Sequence, residues 1–183
     1  MGAMRWIEIL VATACVALLS GCSSVRVTSD FDPNANFSAL QGYAWLAASQ
    51  PPTGDPRLDN TLLDARIRNA IEAELGKRGH RKVAPAAADF LVAYYVAVES
   101  KVDVETIYRS YGRAGWGGGG SADTVVREYE EGTLLVDLLQ PQSGDLLWRG
   151  TAQTRLRDAR TPEARDKYVK EVVGRLLAAY PPK

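Results

Sequence analysis

The sequence predicts an α+β fold, a two-layer α/β sandwich in which a mainly antiparallel sheet carries two helices packed on one face. Three observations lead there. Apolar residues recur at helical spacing in two segments, 57–78 and 161–180. Residues 89–98 form a long β-rich run. Residues 125–139 and 145–156 alternate apolar and polar side chains on either side of Pro141-Gln142-Ser143-Gly144, a turn with proline to initiate it and glycine for its positive-φ position.

In chain order, the first segment stands apart from that domain. Arg5 and the amino terminus supply positive charge, 9–19 is an apolar run, and Ser20 and Gly21 are small residues ahead of Cys22, which together make the three parts of a secretory signal. Glu8 lies at the edge of the apolar run, where a carboxylate is tolerable, and Met4 offers an alternative start. The run is too short to span a bilayer, which takes about 20 apolar residues. Leu19-Ser20-Gly21-Cys22 resembles the bacterial lipobox, in which the cysteine thiol is diacylated, the preceding peptide is removed and the new amino terminus is acylated. The resemblance implies that 1–21 is a lipoprotein signal peptide and that Cys22 is the lipidation site. The alternatives are an ordinary signal peptide with an incidental cysteine, or a buried core helix. Several acyl chains, at about 0.8 kcal/mol per buried methylene, hold a folded domain at a bilayer essentially permanently. Ser23, in place of the aspartate that marks inner-membrane retention, implies the periplasmic face of the outer membrane, or the cell membrane in a host without one.

With 1–21 removed, 22–183 is about 162 residues, the size of one domain able to bury its own core. The chain has 22 Lys+Arg against 22 Asp+Glu, a formal net charge of +0 that gives no reason to expect nucleic acid as a partner. Its 46% apolar content is that of a globular chain rather than a disordered stalk. Cys15 would leave with the signal and Cys22 would carry lipid, so neither a disulfide nor a cysteine-based metal site is expected.

In the mature chain, Val25, Val27 and Ser29 alternate with Arg26, Thr28 and Asp30, the period of a first strand. A turn cluster at 32–36 leads through Phe37 to a short aromatic strand, Tyr43-Ala44-Trp45-Leu46, and the proline-rich 50–56 is an exposed connection. In the first helix Leu58, Leu62, Ile67, Ala70, Ile71, Glu74 and Leu75 trace the buried stripe, with Leu63 on its flank and Gly79 as the cap. Phe90, Val92, Tyr94, Val96 and Val98 face the helices from the next strand, which goes on to alternate with Glu99, Lys101, Asp103 and Glu105. Residues 108–121, with Gly117 to Gly120, read as a flexible loop. In the hairpin, Leu134, Val136 and Leu138 share the core face with Leu146, Trp148, Gly150 and Ala152, leaving Asp137, Arg149, Thr151, Gln153 and Arg155 opposite. Thr161-Pro162-Glu163 starts the last helix, whose buried stripe is Tyr168, Val169, Val172, Val173, Leu176 and Tyr180.

The order of lipobox, Tyr43-Ala44-Trp45, Ala88-Asp89-Phe90-Leu91-Val92, the hairpin with Gly144-Asp145-Leu146-Leu147-Trp148-Arg149-Gly150, and the closing Tyr180-Pro181-Pro182 resembles the bacterial lipoprotein family catalogued as domain of unknown function 4136. The resemblance covers essentially the whole mature chain. It implies a two-layer α/β domain tethered to the cell envelope, and it carries over no catalytic residues. Tyr180 stands where the resemblance leads one to expect phenylalanine, a conservative difference.

Candidate sites are few. Tyr108, Tyr111 and Trp116 can anchor a partner, a glycan or a membrane interface, or fold back over the sheet. Arg149, Arg155 and Arg157 can meet an acidic partner, or be neutralised by Asp137 and neighbouring glutamates. Glu128, Glu130 and Glu131 read as a charged strand edge before a cation site, and His80 as a surface or cap residue before a base or ligand. No cofactor and no metal are expected. The functional expectation is a lipid-anchored, non-enzymatic module that binds an envelope protein or polymer. The alternatives are an envelope hydrolase using carboxylates such as Glu128, Asp137 or Asp145, and a binder of a small apolar ligand such as a lipid.

Overall fold

The computed structural model describes residues 25–47, 52–108 and 122–182, with the backbone alone described for 103–108 and 122–127. Six strands, β1 (Arg26–Phe31), β2 (Gly42–Trp45), β3 (Arg81–Lys82), β4 (Phe90–Tyr108), β5 (Ala122–Leu139) and β6 (Leu146–Arg155), form one sheet in the order β1-β6-β5-β4-β2-β3. The pairs from β1 through β4 are antiparallel, and β2 runs parallel to both β4 and β3. Helices α1 (Thr61–Lys77) and α2 (Pro162–Leu177) bury Ile71, Leu75, Val173, Leu176 and Leu177 in the same core as Phe90, Val92, Val136, Leu138 and Trp148. The expected α+β sandwich, with both helices on one face of a mainly antiparallel sheet, is what forms.

Local chemistry explains where the helices begin and end. The Asn60 side chain accepts the Leu63 N–H at 2.9 Å, and that of Thr161 accepts the Ala164 N–H at 3.2 Å, each filling one of the unpaired donors of a first turn. After α1, Gly79 takes φ +87°, so that its own N–H reaches Gly76 O and the His80 N–H reaches Leu75 O, closing the helix with a Schellman pair. Arg78 then ties the two helix ends together, donating from Nη2 to Leu177 O at 2.8 Å and from Nε to Tyr180 O at 3.1 Å. Carbonyls that α2 leaves open at its C-terminus are thereby satisfied by α1.

Three expectations are corrected. Leu62 is exposed and Leu63 faces inward, because positions 63, 67, 70, 71 and 75 share one helical face while 62 lies well over 100° from it. Leu58 precedes α1 in a turn rather than forming part of its stripe. Leu146 does not share the core face: a bulge lets Leu138 oppose Trp148 while Leu139 opposes Leu146, so the extra residue, Leu147, is buried and Leu146 turns out to solvent.

The strand β4 continues through the expected alternation at Glu99, Lys101, Asp103 and Glu105 as far as Tyr108, and β5 pairs beside it from Ala122, ahead of the expected start at Val125. Beyond Glu99 and before Glu131 the neighbours β2 and β6 have ended, so this part of the hairpin continues as a two-stranded ribbon. Among the described residues no helix is long and apolar enough to cross a membrane.

Candidate functional site

Leu19, Ser20, Gly21 and Cys22, and with them the whole signal segment, lie outside the described residues, as do Tyr111 and Trp116 and the glycines 117–120. Tyr108 ends β4, its side chain likewise outside what is described. Of the remaining candidates, Arg149 and Arg155 sit on the sheet face turned away from the helices.

There, Arg149 and Asp137 oppose one another across β6 and β5. The guanidinium makes a two-pronged contact, Nε to Oδ1 and Nη2 to Oδ2, each at 2.7 Å. Asp137 is 3% exposed, and its hydrogen bonds to Arg149 hold the guanidinium above its usual pKa. Arg149 is thus committed to neutralising a buried carboxylate. Arg155 lies six residues along the same strand, about 20 Å away, with its guanidinium 3.8 Å from the Tyr129 ring centroid. The two arginines share a face and do not converge on one ligand. Arg157 contacts Glu171 at 3.5 Å, on the helix side.

The carboxylates named for hydrolysis are equally dispersed. Glu128 and Asp137 are nine residues apart on one strand, about 30 Å, and point to opposite faces. Asp145 stands in the hairpin turn. Glu128 and Glu130 do share a face, but Glu130 takes both its oxygens to Arg57 Nη1 at 2.9 Å. Among the described residues no group of three or more His, Cys, Asp or Glu is placed to hold a metal ion.

His80 takes part in the helix cap, as expected, through its N–H to Leu75 O, but its side chain does not lie on the surface. It is half-buried between Phe90 and Tyr180, with ring centroids 5.3 and 5.5 Å away, and Phe37 and Trp148 close on Tyr180 from other sides. Burial pushes its pKa down, with backbone contacts at Leu40 and Gln41 acting the other way and Arg78 adding to the decrease. A recess of about 340 Å³ lies beside it, bounded by Phe37, Gln41, Arg78 and Pro181. A second polar cluster joins β2 and β4 to α1. The Tyr94 hydroxyl donates to Asp64 at 2.6 Å, Arg68 Nε donates to the same oxygen at 2.8 Å, and the guanidinium lies 4.4 Å from the Trp45 ring. Burial pushes the Asp64 carboxyl up, but these two hydrogen bonds more than offset it and the net displacement is downward.

Between the sheet and the helices lies a feature the sequence pattern did not disclose, a cleft of about 110 Å³ with an almost wholly apolar wall. Leu63 and Ile67 of α1, Val169 and Val172 of α2, and Val96 and Val98 of β4 surround it, over a floor of Gly132 and Ala152. The helices meet tightly near their C-termini, around Leu75 and Leu176, and the cleft occupies the opposite end. The one signal for it in the sequence is the pair of small residues, Gly132 and Ala152, at inward positions of two central strands.

A family model described as "Domain of unknown function (DUF4136)" matches residues 27–182. No curated protein matches the chain. Among solved structures, a PDZ domain protein from Parabacteroides distasonis ATCC 8503 is 16% identical with a TM-score of 0.55, over 96% of this chain and 40% of that one. The chain therefore spans well under half the length of that protein. The PelC dodecamer from Paraburkholderia phytofirmans is 12% identical over 84% of this chain and 95% of that one, with a TM-score of 0.49. A putative neuraminyllactose-binding hemagglutinin homolog from Helicobacter pylori is 11% identical over 76% and 83%, with a TM-score of 0.41. At these identities the first likeness is one of fold.

Proposed function

The chain belongs to the family described as Domain of unknown function (DUF4136), and on that premise we propose that it is a non-enzymatic binding module of the bacterial cell envelope, held at the outer membrane by acyl chains on Cys22 and facing the periplasm. The observation that carries this reading is the junction between anchor and fold. Ser23 and Ser24 are all that separate Cys22 from Val25, which packs against the core just before the edge strand β1. A tether that short reaches at most about 11 Å and keeps the domain against the bilayer.

The sheet face without helices is the surface left for a partner. Thr151, Gln153 and Arg155 stand on it, and Asp137, the one buried charge there among the described residues, is already neutralised by Arg149. The scattered carboxylates support binding over hydrolysis, since Glu128 and Asp137 cannot flank one bond.

The test is photo-crosslinking in living cells from Gln153, from Trp116 and, as a control, from exposed Lys170 on α2. A discrete adduct from Gln153 or Trp116 that Lys170 does not give supports the reading. Identical patterns from all three positions count against a binding face.

A further inference from the structure

We propose that the apolar cleft between the sheet and the N-terminal halves of the helices is a binding site for the end of a saturated hydrocarbon chain, the tail of a lipid at the membrane to which Cys22 holds the domain. This rests on the proposed anchorage for the identity of the occupant, while the cleft itself stands on geometry.

The chemistry of the wall excludes a polar ligand. Leu63, Ile67, Val98, Val169 and Val172 offer only aliphatic surface, and the polar atoms at the rim are engaged with one another. The Tyr168 hydroxyl lies 3.4 Å from both Thr154 Oγ1 and the Arg155 carbonyl, to which the Thr154 hydroxyl also donates at 3.4 Å. Nothing remains there to orient a charged or hydrogen-bonding molecule. Size selects further. An aliphatic cavity of about 150 Å³ stays dry and takes benzene, so about 110 Å³ accepts a similar handful of carbons and not a whole acyl chain.

Position names the source. Arg26 opposes Gln153 in the β1–β6 pair, which sets Val25 opposite Thr154 at the rim of the cleft. The described chain therefore begins beside the cleft, and three residues of chain between Val25 and Cys22 span at most about 11 Å. With the domain held at Cys22, the wall at Thr154 is the part of the cleft closest along the chain to the anchor. Lipid of the bilayer and the acyl chains of Cys22 itself share this chemistry, and experiment separates them.

Full-length protein in vesicles of phosphatidylethanolamine and phosphatidylglycerol is irradiated with palmitate carrying a diazirine near its methyl end, and adducts are mapped by peptide mass spectrometry. Adducts are expected on the peptides holding Val96, Val98 and Val169, at least tenfold above those on the exposed face of α2. Ala152→Val and Val169→Phe fill the cleft from opposite walls, and each is expected to reduce the adducts at least fivefold, with circular dichroism reporting its fold. If one variant does not fold, the other and the adduct map of the unaltered protein still decide. A second arm feeds the labelled palmitate to cells so that it enters at Cys22, with Cys22→Ser as the blank. Adducts from free palmitate assign the cleft to a separate lipid. Adducts confined to the second arm assign it to the protein's own tail, and either result supports a hydrocarbon site. Adducts spread evenly over the surface, or unchanged in both filled variants, overturn it. The free-palmitate arm needs no lipid on Cys22, and intact mass reports that lipid independently, so loss of the anchor and loss of the site are distinguishable.

Discussion

The Trp148 indole lies across Gly150, its neighbour two residues along β6, so closely that a Cβ on residue 150 would fall 2.3 Å from Trp148 Cη2 and 2.8 Å from Leu176 Cδ2. Trp148 is fully buried, so its ring can rest flat against the strand only where the strand has no side chain. Gly150→Ala is expected to cost about 1–3 kcal/mol, the usual range for overpacking, read from urea unfolding followed by tryptophan fluorescence. An unchanged midpoint would show that the ring is free to move aside.

Arg149 and Asp137 are coupled in the same strand pair. Arg149→Ala leaves a buried carboxylate without its two donors and is expected to cost about 1–3 kcal/mol, reduced from the fully buried case because half the guanidinium is in water. In a double-mutant cycle Asp137→Ala should recover part of that loss. Strict additivity of the two substitutions would mean the pair contributes nothing.

Asp89 accepts the backbone N–H groups of Gln41 at 3.0 Å and Gly42 at 2.7 Å, and the Gly42 bond foremost holds its carboxyl below the usual range. A depressed carboxyl stabilises the fold above the unfolded value near 3.9, and that contribution is lost as pH falls through the lowered folded value. Asp89→Ala should lower Tm at neutral pH more than Asp145→Ala, whose side chain stands in a turn. Equal effects would argue that β2 is held by its ladder alone.

His80 gives a slope in a higher range. Its folded pKa is depressed by burial, so the unfolded chain binds the proton more readily. Stability is unaffected above about 6.5, the ordinary histidine value, and falls as pH drops from there toward the lowered folded value. His80→Phe should flatten the Tm-against-pH curve in that interval, and an undiminished slope would assign it to other groups.

How far these features were legible depends on their range. Local signals were readable: the helix start was visible at Thr161-Pro162, the helix end at Gly79, and the hairpin at Pro141 to Gly144. The order of the sheet was less so, because the parallel pairing of Tyr43 with Phe90 and of Gly42 with Arg81 joins segments far apart in sequence. Leu146 was misassigned because one bulge residue reverses the faces of everything on one side of it. The place of His80 beside the Gly79 cap is legible, but the enclosure of its ring is not, because nothing next to it in sequence reports Phe90 and Tyr180. The motifs behind the family resemblance were legible as patterns and not as causes. Asp89 in Ala-Asp-Phe-Leu-Val fastens β2, and Gly150 in Leu-Trp-Arg-Gly makes room for an indole, so both serve the fold.

The central claim is the anchor, and mass spectrometry of the protein isolated from the membranes of its own host tests it most directly. The account predicts an amino-terminal peptide beginning at Cys22 with acyl chains on both its sulfur and its nitrogen, and release of the domain from membranes in Cys22→Ser. A chain that begins elsewhere, or that carries a free thiol at Cys22, would contradict it.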